Sequence, residues 1–588
     1  MADLNRRDFL RVLGVSGAAT ATGCSDSNLR WDPMVPIENV LPYVVQPETI
    51  IPGLSTWYAS RCDQCAAGCG VMARTREGRV VNVEGNPNHP TNRGKICSRG
   101  KVGLQAPYSP DRFAGPMKGG ALLDWQDAAK QAADGVNAAR TSNKKIAWLG
   151  APRTGASAAI VEQFAAATGG EAVLWEPLAD DALRAAVKAV FGRDDLPRYQ
   201  LAGAHTVVSF GADFLHTWGL PVEQSLGWAD SRDPTVGGFV SRTVCIEPRV
   251  GASSAMADLM LKVKPGSEAG VAMALAKLVA DKKGYTGPAA ALVSGADPAA
   301  AASAAEIDVA RLEEVAGWMA AHDSVVLPGG TTTSADPTSL AVATLLLNEV
   351  AGNIGKTVVF GSDVRASGRS SYQDVIALLE ECKAGKVGVL FIDDLDPVYA
   401  LPAAAGVREA LAKVDSLVIF ANEPIDSINA SALVLPPGTA LERWGDNEAV
   451  KGRHTLQQPA MRPLQDTRAA EDVLLAIAQL LGLKAPESVA TADADTLGGV
   501  VEDTVEAVTG EVTEGAEEAA AAAAQAPNLD VASFKDYVAA WWQSSVYPMT
   551  GQSMSFGRFW TESLQRGGYF VDVPAERAAV VLRAAPET

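Results

Sequence analysis

The sequence predicts an α/β protein in which a small cysteine-bearing β-hairpin unit is followed by doubly wound parallel sheets. Three observations predict it. Apolar runs of strand length alternate with helical stretches from about residue 144 onward, 54 Gly and 33 Pro supply many turns between them, and four of seven cysteines gather between residues 62 and 97. At 588 residues the chain is too long for one core, so several domains are expected. Hydrophobic residues make up 47% and charged residues 20%, a globular balance, and a net charge of −19 repels phosphate backbones and excludes nucleic acid as a partner.

Residues 1–24 read as an export address. Asn5-Arg6-Arg7-Asp8-Phe9-Leu10-Arg11 precedes a mildly apolar, uncharged run from Val12 to Gly23, which is the form of a twin-arginine signal. The run is too short to span a bilayer. That export route carries proteins already folded, which suits a protein whose metal is inserted first. Cys24 follows Ala21-Thr22-Gly23 and has the shape of a lipoprotein processing site with the cysteine as the point of lipid attachment. Ala21 stands where such sites usually carry Leu, so a plain cleavage site and an idle cysteine are the other readings. No other stretch is long and apolar enough to span a bilayer, and membrane attachment beyond this lipid has to come from partner subunits. Residues 25–57 form an N-terminal arm.

Residues 58–115 carry the chemistry. The pattern is Cys62-x2-Cys65-x3-Cys69-x27-Cys97. In an exported protein, clustered cysteines first suggest disulfides, but three cysteines within eight residues close loops too short to stabilise a large domain usefully. Zinc is the second reading, and its structural sites usually come as two Cys-x2–4-Cys knuckles. Three thiolates from one tight loop and a distant fourth match the way a [4Fe–4S] cubane is held, which makes the cluster the leading reading. Gly68 and Gly70 flank Cys69 and can aim backbone N–H groups at sulfide. Downstream, Ala73 to Asn86 alternates in period two around Glu77-Gly78, a β-hairpin signal.

Beyond residue 116, two stretches, 116–260 and 261–484, are expected to form the α/β body. Strands are predicted at 144–150, 206–210, 243–246, 324–327, 387–392 and 416–420, with helices such as 158–168, 270–279 and 340–350 between them. Ligands in such folds bind beyond the carboxyl ends of strands, which points to the loops 211–218, 247–251, 328–332 and 393–399. Cys245 in an apolar strand and Cys382 near a helix end read as inert core thiols. From Ala485 to Phe534 there are eleven Asp or Glu and no Lys or Arg, so 485–530 reads as an acidic, Ala-rich linker or insertion ahead of a C-terminal segment, 531–588.

The cysteine loop, the hairpin ending in Glu84-Gly85-Asn86-Pro87, Cys97 with Gly100-Lys101 behind it, and Tyr108-Ser109-Pro110-Asp111-Arg112 together resemble the N-terminal cluster domain of the molybdopterin oxidoreductase (dimethyl sulfoxide reductase) superfamily. Weaker matches extend the resemblance over roughly residues 40 to 480: Ser209-Phe210-Gly211-Ala212-Asp213, Lys264-Pro265-Gly266-Ser267-Glu268, Asn348 to Gly355, and Leu441-Glu442-Arg443-Trp444-Gly445-Asp446. The resemblance implies one [4Fe–4S] cluster on Cys62, Cys65, Cys69 and Cys97, with Lys101 as an electron relay between the cluster and a pterin. Taken alone, Lys101 is a surface lysine.

The pattern also breaks. Where the superfamily carries a molybdenum ligand, residues 170–203 hold no Cys, Ser or Thr. Only Asp180, Asp181, Asp194 and Asp195 remain, and Trp175 to Arg184 reads more simply as a helix start with acidic residues in its first turn. The chain also ends about where the superfamily's C-terminal β-rich domain, which completes the pterin pocket, would begin. The likeness is therefore strongest to the molybdopterin-like subunits of alternative complex III and of the menaquinone reductase complex. It implies a subunit of a membrane-associated, quinone-linked respiratory complex that transfers electrons or acts as scaffold without molybdenum, rather than the catalytic centre itself. The implied partners are a separate ferredoxin-like multi-cluster subunit, a quinone-interacting integral membrane subunit and a c-type cytochrome subunit, at the periplasmic face of the membrane. The two competing readings are a true molybdenum enzyme carrying molybdopterin guanine dinucleotide, of the polysulfide or oxyanion reductase type, and a structural homologue with a non-redox cluster.

Overall fold

The computed structural model describes residues 51, 53–178, 180–329, 336–366, 368–483 and 527–582. The twin-arginine motif, Cys24, nearly all of the arm and most of the acidic stretch lie outside the described residues. The chain divides into Met1–Leu54 and Ser55–Thr588, and the architecture below is that of the second unit.

Its largest sheet has seven strands in the order Ala121–Leu122, Met117–Lys118, Leu433–Leu435, Ser416–Phe420, Val387–Asp393, Lys145–Gly150 and Glu171–Leu174. The last five are parallel, and the first two form a hairpin that pairs antiparallel with Leu433–Leu435. These parallel strands are apolar almost throughout because helices cover both faces. On one face Trp148, Phe391 and Phe420 pack against the helices Trp125–Thr141, Ala156–Thr168 and Ala470–Leu480. On the other, Leu149, Leu390 and Ile419 meet the helix Tyr372–Lys383. The chain runs outward from Lys145–Gly150 to Glu171–Leu174, and in the opposite direction from Val387–Asp393 to Leu433–Leu435. The switch point of the sheet is therefore the crevice between Lys145–Gly150 and Val387–Asp393.

A second parallel sheet runs Leu259–Lys262, Arg242–Glu247, Thr206–Ser209, Ser324–Leu327, over a core that includes the helices Glu268–Lys283 and Pro337–Ala351. The α/β prediction holds, and the predicted strands and helices occur within a few residues of where they were placed. The two sheets are nested, however, not consecutive. The division drawn at residue 260 falls inside the strand Leu259–Lys262, because local apolar runs mark strands but not which strands pair.

The C-terminal segment completes the body. The helix Phe534–Trp541 and the turn after it bury Phe534, Tyr537 and Trp542 against the large sheet's core, and Gly568–Phe570 adds a strand to the antiparallel pair Gly445–Asn447 and Arg453–Gln457. Among the described residues, no helix is long and apolar enough to cross a membrane.

Candidate iron–sulfur site and the adjoining cavity

The cysteine unit is a three-stranded antiparallel sheet, Thr56–Arg61, Gly70–Arg76 and Arg79–Gly85. Glu77 and Gly78, both with positive φ, make the two-residue turn that the sequence signals. Pairing of Arg61 with Gly70 pinches off the loop between the first two strands, and the Cys62 N–H donates to the Cys69 carbonyl at 2.8 Å. Gly68 has a φ of +55°, a conformation that strains any other residue, and a Cβ there would also push the Asn447 side chain aside.

Cys97 arrives from a loop that Asn92 fastens. The Asn92 side chain accepts from Gly70 N and donates to the carbonyls of Gly70 and Lys95, at 3.1, 2.9 and 2.6 Å. Sequence reasoning missed this residue, since a buried asparagine gives no local signal of its partners. Cys97 then caps the short helix Ser98–Val102 through its Sγ, and a Cβ on Gly100 would lie 3.3 Å from the Cys62 Sγ.

Cys62, Cys65, Cys69 and Cys97 thus border one apolar cluster with Ala67, Leu220, Val222 and Val450, and all four are free thiols. Burial pushes the Cys62 thiol up to about 12, and burial followed by the neighbouring sulfurs raises Cys69 further. Burial raises the Cys65 thiol too, so three of the four resist ionisation, which a cationic centre would relieve, and soft thiolates suit iron. The donor set therefore fits the cluster. Among the described residues, no group of three or more His, Cys, Asp or Glu gathers as the shell of a single metal ion. Cys245 and Cys382 are buried apart from this group, and burial pushes each thiol up to about 12.

Lys101 is exposed, and its ammonium donates to Asn82 Oδ1 at 2.5 Å and to the Val83 carbonyl at 2.8 Å, along the outer edge of the strand Arg79–Gly85. Arg112 closes the unit by pairing with Glu442 through two hydrogen bonds of 3.0 and 2.8 Å, both side chains buried.

Between the cysteine loop and the carboxyl ends of the large sheet lies a cavity of about 440 Å³. Arg61, Cys62 and Asp63 face it from the loop, and Asp394, Asn422 and Arg443 from beyond the strands. Of the predicted ligand loops, 393–399 therefore reaches it. Asp394 has a φ of +52°, and its carboxyl is held above the usual range by burial.

The turn after Lys145–Gly150 leads straight into the helix Ala156–Thr168, a place where such folds offer free N–H groups to a ligand's phosphate. Here those donors are already engaged. The Asp446 carboxylate accepts from Ala156 N at 3.1 Å, from Ser157 N at 3.4 Å and from the Trp542 indole at 3.2 Å. A Cβ on Gly155 would lie 2.5 Å from the same carboxylate. Burial pushes Asp446 up to about 6 despite these donors.

The four acidic candidates of residues 170–203 separate. Asp181 opens the helix Asp181–Phe191 and accepts from Tyr372 N, Asp194 pairs with Lys188, and Asp195 accepts from Ala366 N. Asp180 instead lines a small cavity of about 60 Å³ with Ala66, Ala67, Tyr199 and Arg369, and burial pushes its carboxyl up to about 6.

A doubly wound body with a four-thiol loop at its sheet ends belongs to a known class. Residues 55–109 match the Molybdopterin oxidoreductase Fe4S4 domain, and over most of its length the chain is similar to proteins of the dimethyl sulfoxide reductase-type superfamily of molybdopterin oxidoreductases. It is similar to the menaquinone reductase molybdopterin-binding-like subunit of Nitratidesulfovibrio vulgaris, with 26% identity over 82% of this chain and 72% of that protein. It is also 26% identical to the arsenate respiratory reductase molybdopterin-containing subunit of a Shewanella species, over 47% of this chain but only 32% of that one. Acetylene hydratase from Pelobacter acetylenicus shares the fold, with a TM-score of 0.62 and 13% identity over 72% of this chain and 69% of that one.

Proposed function

We propose that the chain is an iron–sulfur, molybdopterin-oxidoreductase-like subunit of a quinone-linked respiratory complex, carrying electrons through a single [4Fe–4S] cluster on Cys62, Cys65, Cys69 and Cys97, with no molybdenum. One observation carries the second half of this reading. The helix terminus that would take a pterin nucleotide's phosphate is filled by Asp446, locked in place by Trp542. A second anion there would meet a carboxylate instead of free N–H groups, so the residues do not fit that cofactor at this turn. The likeness to a menaquinone reductase subunit supports the quinone-linked setting. In this reading the twin-arginine signal places the chain at the outer face of the cytoplasmic membrane, with Cys24 as the lipid anchor. Its partners there are a multi-cluster ferredoxin-like chain, an integral quinone-interacting chain and a c-type cytochrome.

Metal analysis of purified protein tests it. About four iron per chain with no molybdenum is expected for one cubane, and stoichiometric molybdenum would sink the proposal. Replacing Arg6 and Arg7 by Lys should strand folded precursor in the cytoplasm; undiminished delivery across the membrane would refute the export part.

A molybdenum enzyme with Asp180 as metal ligand is the second reading. It is favoured by the buried carboxyl of Asp180 lining a cavity beside Ala66 and Ala67 of the cysteine loop. Its mark would be molybdenum that binds the wild type and is lost in Asp180→Asn.

A further inference from the structure

We propose that Arg61, held by the neutral amide of Gln457 instead of a carboxylate, sets the potential of the neighbouring cluster by keeping a whole positive charge beside Cys62 on the cavity side. This rests on the electron-transfer reading above.

The first observation is how Arg61 is held. Its Nε and Nη2 both donate to Gln457 Oε1, at 3.0 and 2.9 Å. Other arginines packed within the body meet carboxylates: Arg112 with Glu442, Arg153 with Glu471 and Arg365 with Glu448. Among the described residues, no carboxylate lies within ion-pair distance of Arg61. An ion pair presents little net charge to a third group, whereas a guanidinium on an amide keeps its charge.

The second is where it stands. Arg61 closes the strand Thr56–Arg61 directly before Cys62, and both residues line the cavity. Burial is the influence that most opposes its charge; Asp63, Asp446 and the Cys62 sulfur favour it, and Arg443 opposes it. Arg61 is half-buried, so solvent and salt screen it less than they screen an exposed cation. A cubane on four thiolates is anionic and becomes more so on reduction, so this charge favours the reduced form and raises the potential. Lys101 is exposed, and its influence is the weaker of the two.

A purely structural role is the simpler reading, in which the bond ties the cysteine unit to the strand Arg453–Gln457. That tie exists without it. Ser60 Oγ donates to the Gln458 carbonyl at 3.1 Å, and the Gln458 side chain donates to the Ala59 carbonyl at 2.8 Å. A neutral side chain at position 61 could complete such a tie without desolvating a charge. Burial raises the Cys65 thiol and Arg99 acts against that rise, but Arg99 belongs to the helix after Cys97 and is spared by changes at Gln457.

The test is a potentiometric titration of the full-length, cluster-loaded protein, followed by low-temperature paramagnetic resonance, on the wild type, Arg61→Gln, Arg61→Lys and Gln457→Glu. Iron and sulfide counts establish cluster loading in each. Arg61→Gln should move the reduction equilibrium on the order of tenfold toward the oxidised form, about 59 mV downward for one electron. Gln457→Glu keeps the arginine and turns its anchor into an ion pair, so the midpoint should fall here too, whereas a structural tie would leave it unmoved. Arg61→Lys keeps the charge and loses the fork, and should stay near the wild-type value. Should Arg61→Gln hold no iron, Gln457→Glu decides; should Gln457→Glu hold none, the contrast between Arg61→Gln and Arg61→Lys decides. An unmoved midpoint in Gln457→Glu overturns the inference whatever Arg61→Gln does, and so does an Arg61→Lys midpoint as low as that of Arg61→Gln. Either result leaves the electron-transfer reading standing, because the cluster is then present and reducible. A wild type with no reducible iron–sulfur signal overturns that reading and this inference with it.

Discussion

The Trp542 indole donates to the Asp446 carboxylate at 3.2 Å, joining the C-terminal segment to the first turn of a helix nearly four hundred residues earlier in the chain. Trp542 is fully buried, with Phe559 and Trp560 packed around it. Trp542→Ala should cost about 3–5 kcal/mol through lost burial and the cavity it leaves, whereas Trp542→Phe, which removes mainly the donor, should cost about 1–2 kcal/mol. Chemical denaturation of the three proteins checks the ratio.

Asp446 also sets a pH dependence. Its carboxyl is pushed up to about 6 in the folded chain from an ordinary value of 3.8, with burial as the leading cause. The folded state therefore holds this proton more tightly than the unfolded one. The stability this gives is fully present below about pH 4 and is lost as pH rises through about 6. Asp446→Asn, which cannot ionise, should gain stability relative to wild type across that window. Melting temperatures at pH 4, 5, 6 and 7 read the difference, and a constant gap would show that the carboxyl does not titrate there.

Cys65→Ser should lose or convert the cluster, since serine oxygen is a poor ligand for soft iron. Cys245→Ser should leave iron content untouched and alter only packing, because Cys245 lies buried in the strand Arg242–Glu247. Iron and sulfide counts with low-temperature paramagnetic resonance separate the two, and an unchanged spectrum in Cys65→Ser would defeat the four-cysteine assignment.

Lys101→Met removes a positive charge while sparing every cysteine. Iron content should persist, and the cluster potential should fall, because a nearby cation favours the more negative, reduced state. It should also free Asn82 Oδ1 and the Val83 carbonyl, at a cost of about 1 kcal/mol. A potentiometric titration decides the electronic part; an unmoved midpoint would reduce Lys101 to an edge residue.

The α/β body was legible in the sequence because buried parallel strands read as bare apolar runs. Ser324–Leu327 and Ser416–Phe420 fall where those runs stand. The cysteine hairpin was legible through Glu77-Gly78 and the alternation around it. What escaped lacks a local signature. The strand Val358–Val364 contains Gly361, Ser362 and Asp363, which break any apolar run. Asp446 and Asn92 work through partners brought near only by the finished fold, and no spacing announces such pairings. The cavity beside Cys62 was reached in part, through the loop 393–399, because ligand sites follow strand ends in this architecture.

The C-terminal segment bears on how the molecule is made. Gly567 packs against Asn86 and Ala59, and the Asn86 side chain donates to the Arg566 carbonyl, so residues near the end of the chain brace the cysteine unit near its start. During synthesis the segment that supplies this brace emerges after the cysteine unit and after the α/β body. The cysteine loop and the strand Gly568–Phe570 are therefore made far apart in time, and the unit gains the Asn86–Arg566 hydrogen bond only once the later segment has docked.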